Sequence, residues 1–569
     1  MKTLSVRLLL IFGMAVAAYA QPSIGGIANA ASYDTVAFAQ GSFIAIFGTN
    51  FGATAKTGAP YPTTLGDVQE IDITPVSGGA AAKALLYFTS SGQINAILPS
   101  TAAIGDANVT VVLKIGQTSA AFKITVVKSR FGIFTVSQSG QGPAIVQNYV
   151  SASSTPLNGL TNSANDGTTL ILWGTGVGPA PGGDDNHPQP GNVSSTVQIL
   201  IGGKVVKPFY AGRSGFPGED QINFTIPKNS GIPDSCYVQI AVQIGDQNSN
   251  ASTLAKAGSS KECTHPLGLA AGALQKLDTG GTVTVGLFLL GSSTANISFG
   301  GQNLSSKTQS INGAFAKYTG SGLFGLETTG NLLQPTALGT CTVNKFHFKV
   351  DPNNPAGSAA GALAPPLAIG KTTDLDAGAK LVLSGNSKSK DVPRTSPGYG
   401  ATLSSSNALT PTPDFLSAGT WTLAGTGGQD IGAFQGQITI PGPLNVNPVP
   451  AAINRSQDLV LNWTGGGTTA NDFLIIIGLA AAPSASDATI YDGAIFTCTA
   501  AAAPGTFTVK GDITSQLPAT AGAANATGIL LINAASHGST FTAPLVGGGN
   551  IDSGILLYTD GFFTLLPVN

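Results

Sequence analysis

Charge is scarce in this chain. Only 9% of its residues are Asp, Glu, Lys or Arg, against roughly 25% in an ordinary soluble domain. The balance is a net −2 from 26 basic and 28 acidic residues, with no basic stripe to neutralise phosphates, which excludes nucleic acid as a partner. Catalytic frames are missing as well. None of the 4 His falls in an HExxH frame, no Ser occupies a GxSxG elbow and no phosphate loop is present. Gly212-Arg213-Ser214-Gly215 and Gly425-Thr426-Gly427-Gly428 are broken lookalikes, and the second reads as a hairpin turn. Long apolar runs are absent too. Leu474 to Ala482 is too short for a membrane helix, which needs ~20 residues, and reads as a buried strand. The missing aromatic girdles and the ending Pro567-Val568-Asn569 argue against an outer-membrane barrel.

What is present is glycine, 75 of 569 residues, with short Val/Ile/Leu/Phe triplets between turns. That is the composition of many short strands. The expected fold class is all-β, and the length calls for three or four domains. Helical spacing is confined to Leu267–Leu277, with one further turn at Ile513 to Leu517.

The first twenty residues read as a signal peptide. Lys2 and Arg7 precede an apolar Leu8 to Ala17, and Ala18-Tyr19-Ala20 has the small-x-small cleavage pattern. Without Lys2 and Arg7 the basic count falls from 26 to 24 against 28 acidic residues, a charge of −4. The expectation is a secreted, cell-surface or periplasmic protein with no integral span after cleavage. Export makes the four cysteines disulfide candidates. Of three possible pairings we favour Cys236–Cys263 and Cys341–Cys498; a four-thiolate zinc site lacks any CxxC pair.

One string occurs nearly twice: QINAILP at 93–99 and QINFTIP at 221–227, 128 positions apart. Upstream, Phe47-Gly48-Thr49-Asn50-Phe51-Gly52 answers Trp173-Gly174-Thr175-Gly176-Val177-Gly178. Phe47 to Gln93 is 46 positions and Trp173 to Gln221 is 48. Motifs kept in step over that distance are an internal duplication. Gly48, Gly52, Gly174 and Gly178 read as turn glycines, and Thr49 and Thr175 as turn hydroxyls bonding local backbone. Gln93 and Asn95, like Gln221 and Asn223, sit two apart and so share a strand face. We read these amides as satisfying loop backbone at a domain edge, with a ligand site as the alternative.

These residues carry a resemblance. GSFIAIFGTNFG resembles the opening strand of TIG-type immunoglobulin-like domains. The ordered set Asn29 to Ser32, Gly41 to Gly52, Pro62 to Gly66, Gln93 to Asn95, Gly174 to Gly178, Tyr210 to Gly212 and Gln221 to Asn223 resembles the Solibacter-type C-terminal domain family of secreted acidobacterial proteins. It covers about residues 24–255, near 41% of the chain. Two departures stand out: Phe131-Gly132-Ile133-Phe134 replaces the family's Pro-Gly-Ile-Phe, and the unit follows the leader instead of closing the chain. The resemblance implies tandem immunoglobulin-like sandwiches at 22–128 and 129–262, and no catalytic residue. We expect further β-sandwich at 263–448 and 449–569, separate or fused. Leu277-Asp278-Thr279-Gly280 and Leu375-Asp376-Ala377-Gly378 read as turns into strands, Asn353 to Pro366 as a loop and Pro441 to Pro450 as a linker.

Ligand candidates are few. Asp184 and Asp185, beside Asn186 and His187, are a weak Ca²⁺ site, with a solvated loop as the simpler reading; no other cofactor is expected. His347 alternates with aromatics. Asp374 and Asp376 have the residue type of a glycosidase pair, but turn capping explains them better. Trp173, Trp421 and Trp463 sit in strand patterns, where core is the default. The reading is an exported, non-catalytic array with a structural, adhesive or recognition role, its partner an extracellular polysaccharide or cell-surface protein. The alternative is a carbohydrate-binding or carbohydrate-processing protein.

Overall fold

Alternation of apolar and polar residues, interrupted by Gly turns, is what a half-buried strand requires, and the molecule is all-β. The computed structural model describes residues 21–569 except 139, 141, 181–182, 185–192, 194–195, 246, 265–270, 279–280, 300–301, 320–338, 350–370, 396, 408, 468–471, 485–489, 523–525 and 536–537. The expected leader at 1–20, the loop at 353–366 and Asp185 lie outside the described residues, as does the side chain of His347.

The first module is a sandwich of two five-stranded sheets. One runs in the order Ser23–Asn29, Phe43–Thr49, Gln93–Ile97, Leu85–Thr89, Ala55–Lys56. The other runs Phe38–Ala39, Phe122–Val127, Gly105–Leu113, Val68–Pro75, Ala82–Lys83. Ile44, Ile46, Ile94 and Ala96 of the first sheet meet Ile71, Ile73, Val109 and Val111 of the second in one core. The second module repeats the plan. Gly132–Ile133, Thr169–Thr175, Asp220–Thr225 and Tyr210–Arg213 form one sheet, with Val146–Tyr149 also on Thr169–Thr175. It faces a sheet built on Val197–Ile201 and Ser235–Ile244.

The C-terminal half is organised differently. Strands from both sides of residue 448 join one ten-stranded sheet, in which Thr282–Phe299 pairs in parallel with Ser553–Leu565. Two small sheets cover it. Lys388–Pro393, Lys380–Gly385, Gly419–Gly425 and Phe434–Ile440 close a core containing Trp421, and Asn445–Val446, Leu459–Thr464 and Thr506–Val509 close another containing Trp463. Between the cores the large sheet carries Gln309, Ser292 and Asp560 on neighbouring strands. Gln309 accepts from Ser404 Oγ at 2.9 Å, and Asp560 accepts from Leu444 N at 2.8 Å, anchoring the 441–450 linker. Gln309 and Asp560 are thus held by partners, as burial demands.

Among the described residues helix is limited to Ala271–Asp278 and Gly511–Thr514, and none of it is long and apolar enough to cross a membrane. Asp376 accepts from Gly378 N at 2.6 Å and pairs with Arg394 at 2.6 Å, so it caps a turn.

Both disulfides are present, Cys236–Cys263 and Cys341–Cys498. The second joins directly paired residues of Thr340–Lys349 and Ile490–Ala501 and spans 157 positions. Its removal frees a large loop in the unfolded chain. The Cys341→Ser, Cys498→Ser double variant is expected to lose about 2–5 kcal/mol, read by urea unfolding of the C-terminal half; an unchanged midpoint would show that the sheet ladder alone fixes this edge.

Candidate functional site

In each module the motif strand and the QIN strand are antiparallel neighbours, and their register is identical. Phe47 lies opposite Gln93, Ile46 opposite Ile94 and Ala45 opposite Asn95; Trp173 lies opposite Gln221, Leu172 opposite Ile222 and Ile171 opposite Asn223. Successive side chains alternate faces. Ile46, Ile94, Leu172 and Ile222 are fully buried in the two cores. Phe47, Gln93, Asn95, Trp173, Gln221 and Asn223 therefore point outward, and all are partly exposed.

The amides bond each other. Gln93 Nε2 donates to Asn95 Oδ1 at 2.8 Å, and Gln221 Nε2 donates to Asn223 Oδ1 at 2.9 Å. Among the described residues these side chains bond each other and not loop backbone, because the strand pleat places the two amides side by side. A second aromatic flanks each pair on the other neighbouring strand: Phe88 opposite Asn95 and Tyr210 opposite Asn223. Each module thus presents an outward row of ring, two amides and ring. Phe88 and Tyr210 escape a sequence reading because their spacings differ, and a bulge between Leu86 and Phe88 shifts the first copy. Trp173 departs from the core expectation that Trp421 and Trp463 meet at 0% and 4% exposure. Its indole N–H donates to Gln147 Oε1 at 3.0 Å, which fixes the ring on the outward face. The phenol of Tyr210 donates to the Arg213 carbonyl.

The motif glycines make this geometry possible. A Cβ on Gly48 would run into the Ser23 carbonyl and the Phe51 ring; on Gly174 it would strike the Gly132 carbonyl and the Phe131 ring. At the next turn Asn50 has φ 61° where its counterpart Gly176 has φ 101°, and both residue types tolerate that region.

Equivalent residues have separate duties. Thr49 is exposed and bonds Ser23 Oγ at 2.8 Å. Thr175 is fully buried at the seam between modules, where its Oγ1 donates to Gly218 O at 2.6 Å and accepts from Phe43 N at 2.8 Å. Asp184 belongs to the same seam, not to a solvated loop: it accepts from Ser100 N at 2.5 Å and from Ser100 Oγ at 2.7 Å. Arg213 donates to Gly178 O at 2.6 Å and is paired with fully buried Asp220, while Arg130 pairs with Asp34 across the seam. Burial pushes the Asp220 carboxyl up, against the pull of Arg213 and the Val177 N–H. This ion pair points to the inner side of the strands that carry Gln221 outward.

No family model and no curated protein matches the chain. Three solved structures are similar at a low level. The Bacteroides ovatus mixed-linkage glucan utilization locus protein SGBP-B, in complex with a mixed-linkage heptasaccharide, matches at 11% identity and TM-score 0.19, over 64% of this chain and 65% of that one. The gamma-CGTase of Alkalophilic bacillus clarkii matches at 11% identity and TM-score 0.14, over 49% of this chain and 34% of that one. The ICAM-5 D1–D4 ectodomain fragment matches at 10% identity and TM-score 0.12, over 91% and 96%.

The two threonines separate motif from seam. Thr175→Val leaves the Phe43 N–H unpaired in a buried site and is expected to cost roughly 1–3 kcal/mol. Thr49→Val at the equivalent exposed position is expected to stay within about 0.5 kcal/mol of the parent. Urea denaturation of both variants checks the difference; equal losses would place the seam's stability elsewhere.

Proposed function

We propose that the chain is an extracellular, non-catalytic recognition array whose N-terminal modules present their amide-aromatic rows to a partner at the cell surface or beyond it. The observation that carries this reading is the repetition of the whole outward constellation, Phe47, Phe88, Gln93 and Asn95 in one module and Trp173, Tyr210, Gln221 and Asn223 in the next. A core requirement explains the buried isoleucines; it places no demand on which side chains cover the outer face. Half-exposed aromatic rings beside amides combine apolar contact with directional hydrogen bonding at low entropic cost, the composition favoured at recognition surfaces. Two disulfides are consistent with an extracellular protein, and the leader sequence supplies the route.

The seam supports the same reading. Thr175, Asp184, Arg213 and Arg130 tie the modules at several points, so the two rows are held by a stiff connection instead of a linker. A fixed arrangement of repeated sites is what a recognition array requires.

Oxidative footprinting of the full chain, alone and bound to envelope and exopolysaccharide material, tests this. Protection is expected at Phe47, Phe88, Trp173 and Tyr210. The Phe47→Ala, Trp173→Ala double variant is expected to lose on the order of ten-fold or more in binding with an unchanged melting temperature. Protection confined to the C-terminal half, with full binding by the double variant, would reject the assignment.

A further inference from the structure

We infer that the ligand of both rows is a neutral polysaccharide, one stretch of the same chain lying on each module. The inference rests on the recognition reading above and narrows it to a chemical class.

Hydrogen-bond capacity is the first argument. In each pair the Gln Nε2 to Asn Oδ1 bond leaves Gln Oε1 as an acceptor and Asn Nδ2 as a donor with no protein partner among the described residues. A side-by-side acceptor and donor match two neighbouring hydroxyls of a sugar ring, each able to donate and accept. A peptide strand is a poorer match for the amides, because both QIN strands already have neighbours on both sides.

The rings are the second argument. Phe47 and Phe88 bracket one amide pair, and Trp173 and Tyr210 bracket the other. The indole N–H of Trp173 and the phenol O–H of Tyr210 are already engaged, so their π-faces are what they offer. A pyranose has C–H faces that pack on such rings and a hydroxyl rim that reaches the amides.

Charge is the third. None of the eight residues is charged at neutral pH. The nearby Arg213–Asp220 pair lies on the opposite side of its strands and is buried. Glu219, two positions before Gln221, bonds Ser214 Oγ at 3.2 Å, and burial holds its carboxyl above the usual range. Lys56 lies opposite Phe88 with its Nζ 5.0 Å from the Tyr87 ring centroid, so one exposed cation borders the first row. A uronic acid or sulfated polymer would gain that single counter-charge and surrender hydration along the rest of both rows, a cost a neutral glycan does not have.

Duplication is the fourth. A polymer spanning both rows binds its second module as an intramolecular event, which raises avidity without new contacts. A short oligosaccharide reaches one row only.

Affinity electrophoresis and calorimetry on the full chain, with soluble neutral glucan, mannan and xylan, their hexasaccharides, and alginate and polygalacturonate, provide the test. The expected result is binding of at least one neutral polymer, at least about ten-fold tighter than its hexasaccharide, insensitive to salt. Phe47→Ala or Trp173→Ala alone should each remove the polymer's advantage while leaving hexasaccharide binding at the other row. Salt-sensitive binding of the anionic polymers only would overturn the inference. Footprint protection of the rows by a surface protein, with no neutral glycan bound, would overturn it while leaving the recognition reading intact; absence of protection by any material would remove both.

Discussion

The register of two strands governs the N-terminal half of this molecule. Side chains alternate with period two, so a slip of one residue in the pairing of Phe43–Thr49 with Gln93–Ile97 would bring the amides into the core and put Ile94 into water. Burying an isoleucine stabilises by about 1.5–3 kcal/mol, and Ile44, Ile46 and Ile94 act together on one face. Leu170, Leu172 and Ile222 do the same in the second copy. The core therefore fixes the outward geometry without touching it. The glycines at 48 and 174 admit the strand on the other side, whose Ser23 and Gly132 carbonyls occupy the space a Cβ would need.

The two modules use positions of equal register differently. In the first module Thr49 ends its strand in solvent. In the second, the same position faces a neighbour, and Thr175 has become a two-sided bridge between Phe43 and Gly218. Gly178 and Asp184 follow it into the seam, contributing a carbonyl to Arg213 and a carboxylate to Ser100. In the second module the motif region thus also joins the two modules.

The all-β class, the strand punctuation and the shared strand face of Gln93 with Asn95 and of Gln221 with Asn223 were legible because they follow from period and composition alone. The flanking rings were not. Phe88 reaches Asn95 past a bulge and Tyr210 reaches Asn223 through a connection of another length, so no spacing rule unites them. Trp173 read as core because its strand looks like those of Trp421 and Trp463; only its partner strand shows which parity faces out. Asp184 read as solvated because its local sequence is Gly- and Asp-rich, whereas Ser100, 84 positions earlier, determines its surroundings. The single large C-terminal sheet was also hidden: it depends on Ser553–Leu565 lying parallel to Thr282–Phe299, a pairing across most of that half.

The scarcity of charge becomes intelligible when its placement is followed. Arg213 with Asp220 and Arg130 with Asp34 lie at or beneath the seam, and Lys256, buried between Asp166 at 3.2 Å and Asp234 at 2.7 Å, ties segments within the second module. A buried ion pair contributes little net stability but penalises every arrangement that separates the partners. Such groups define how elements join. Outward strand faces carry amides, hydroxyls and rings beside exposed pairs such as Lys123–Asp106 and Lys380–Asp391, which serve solubility but, being solvated, fix little of the frame.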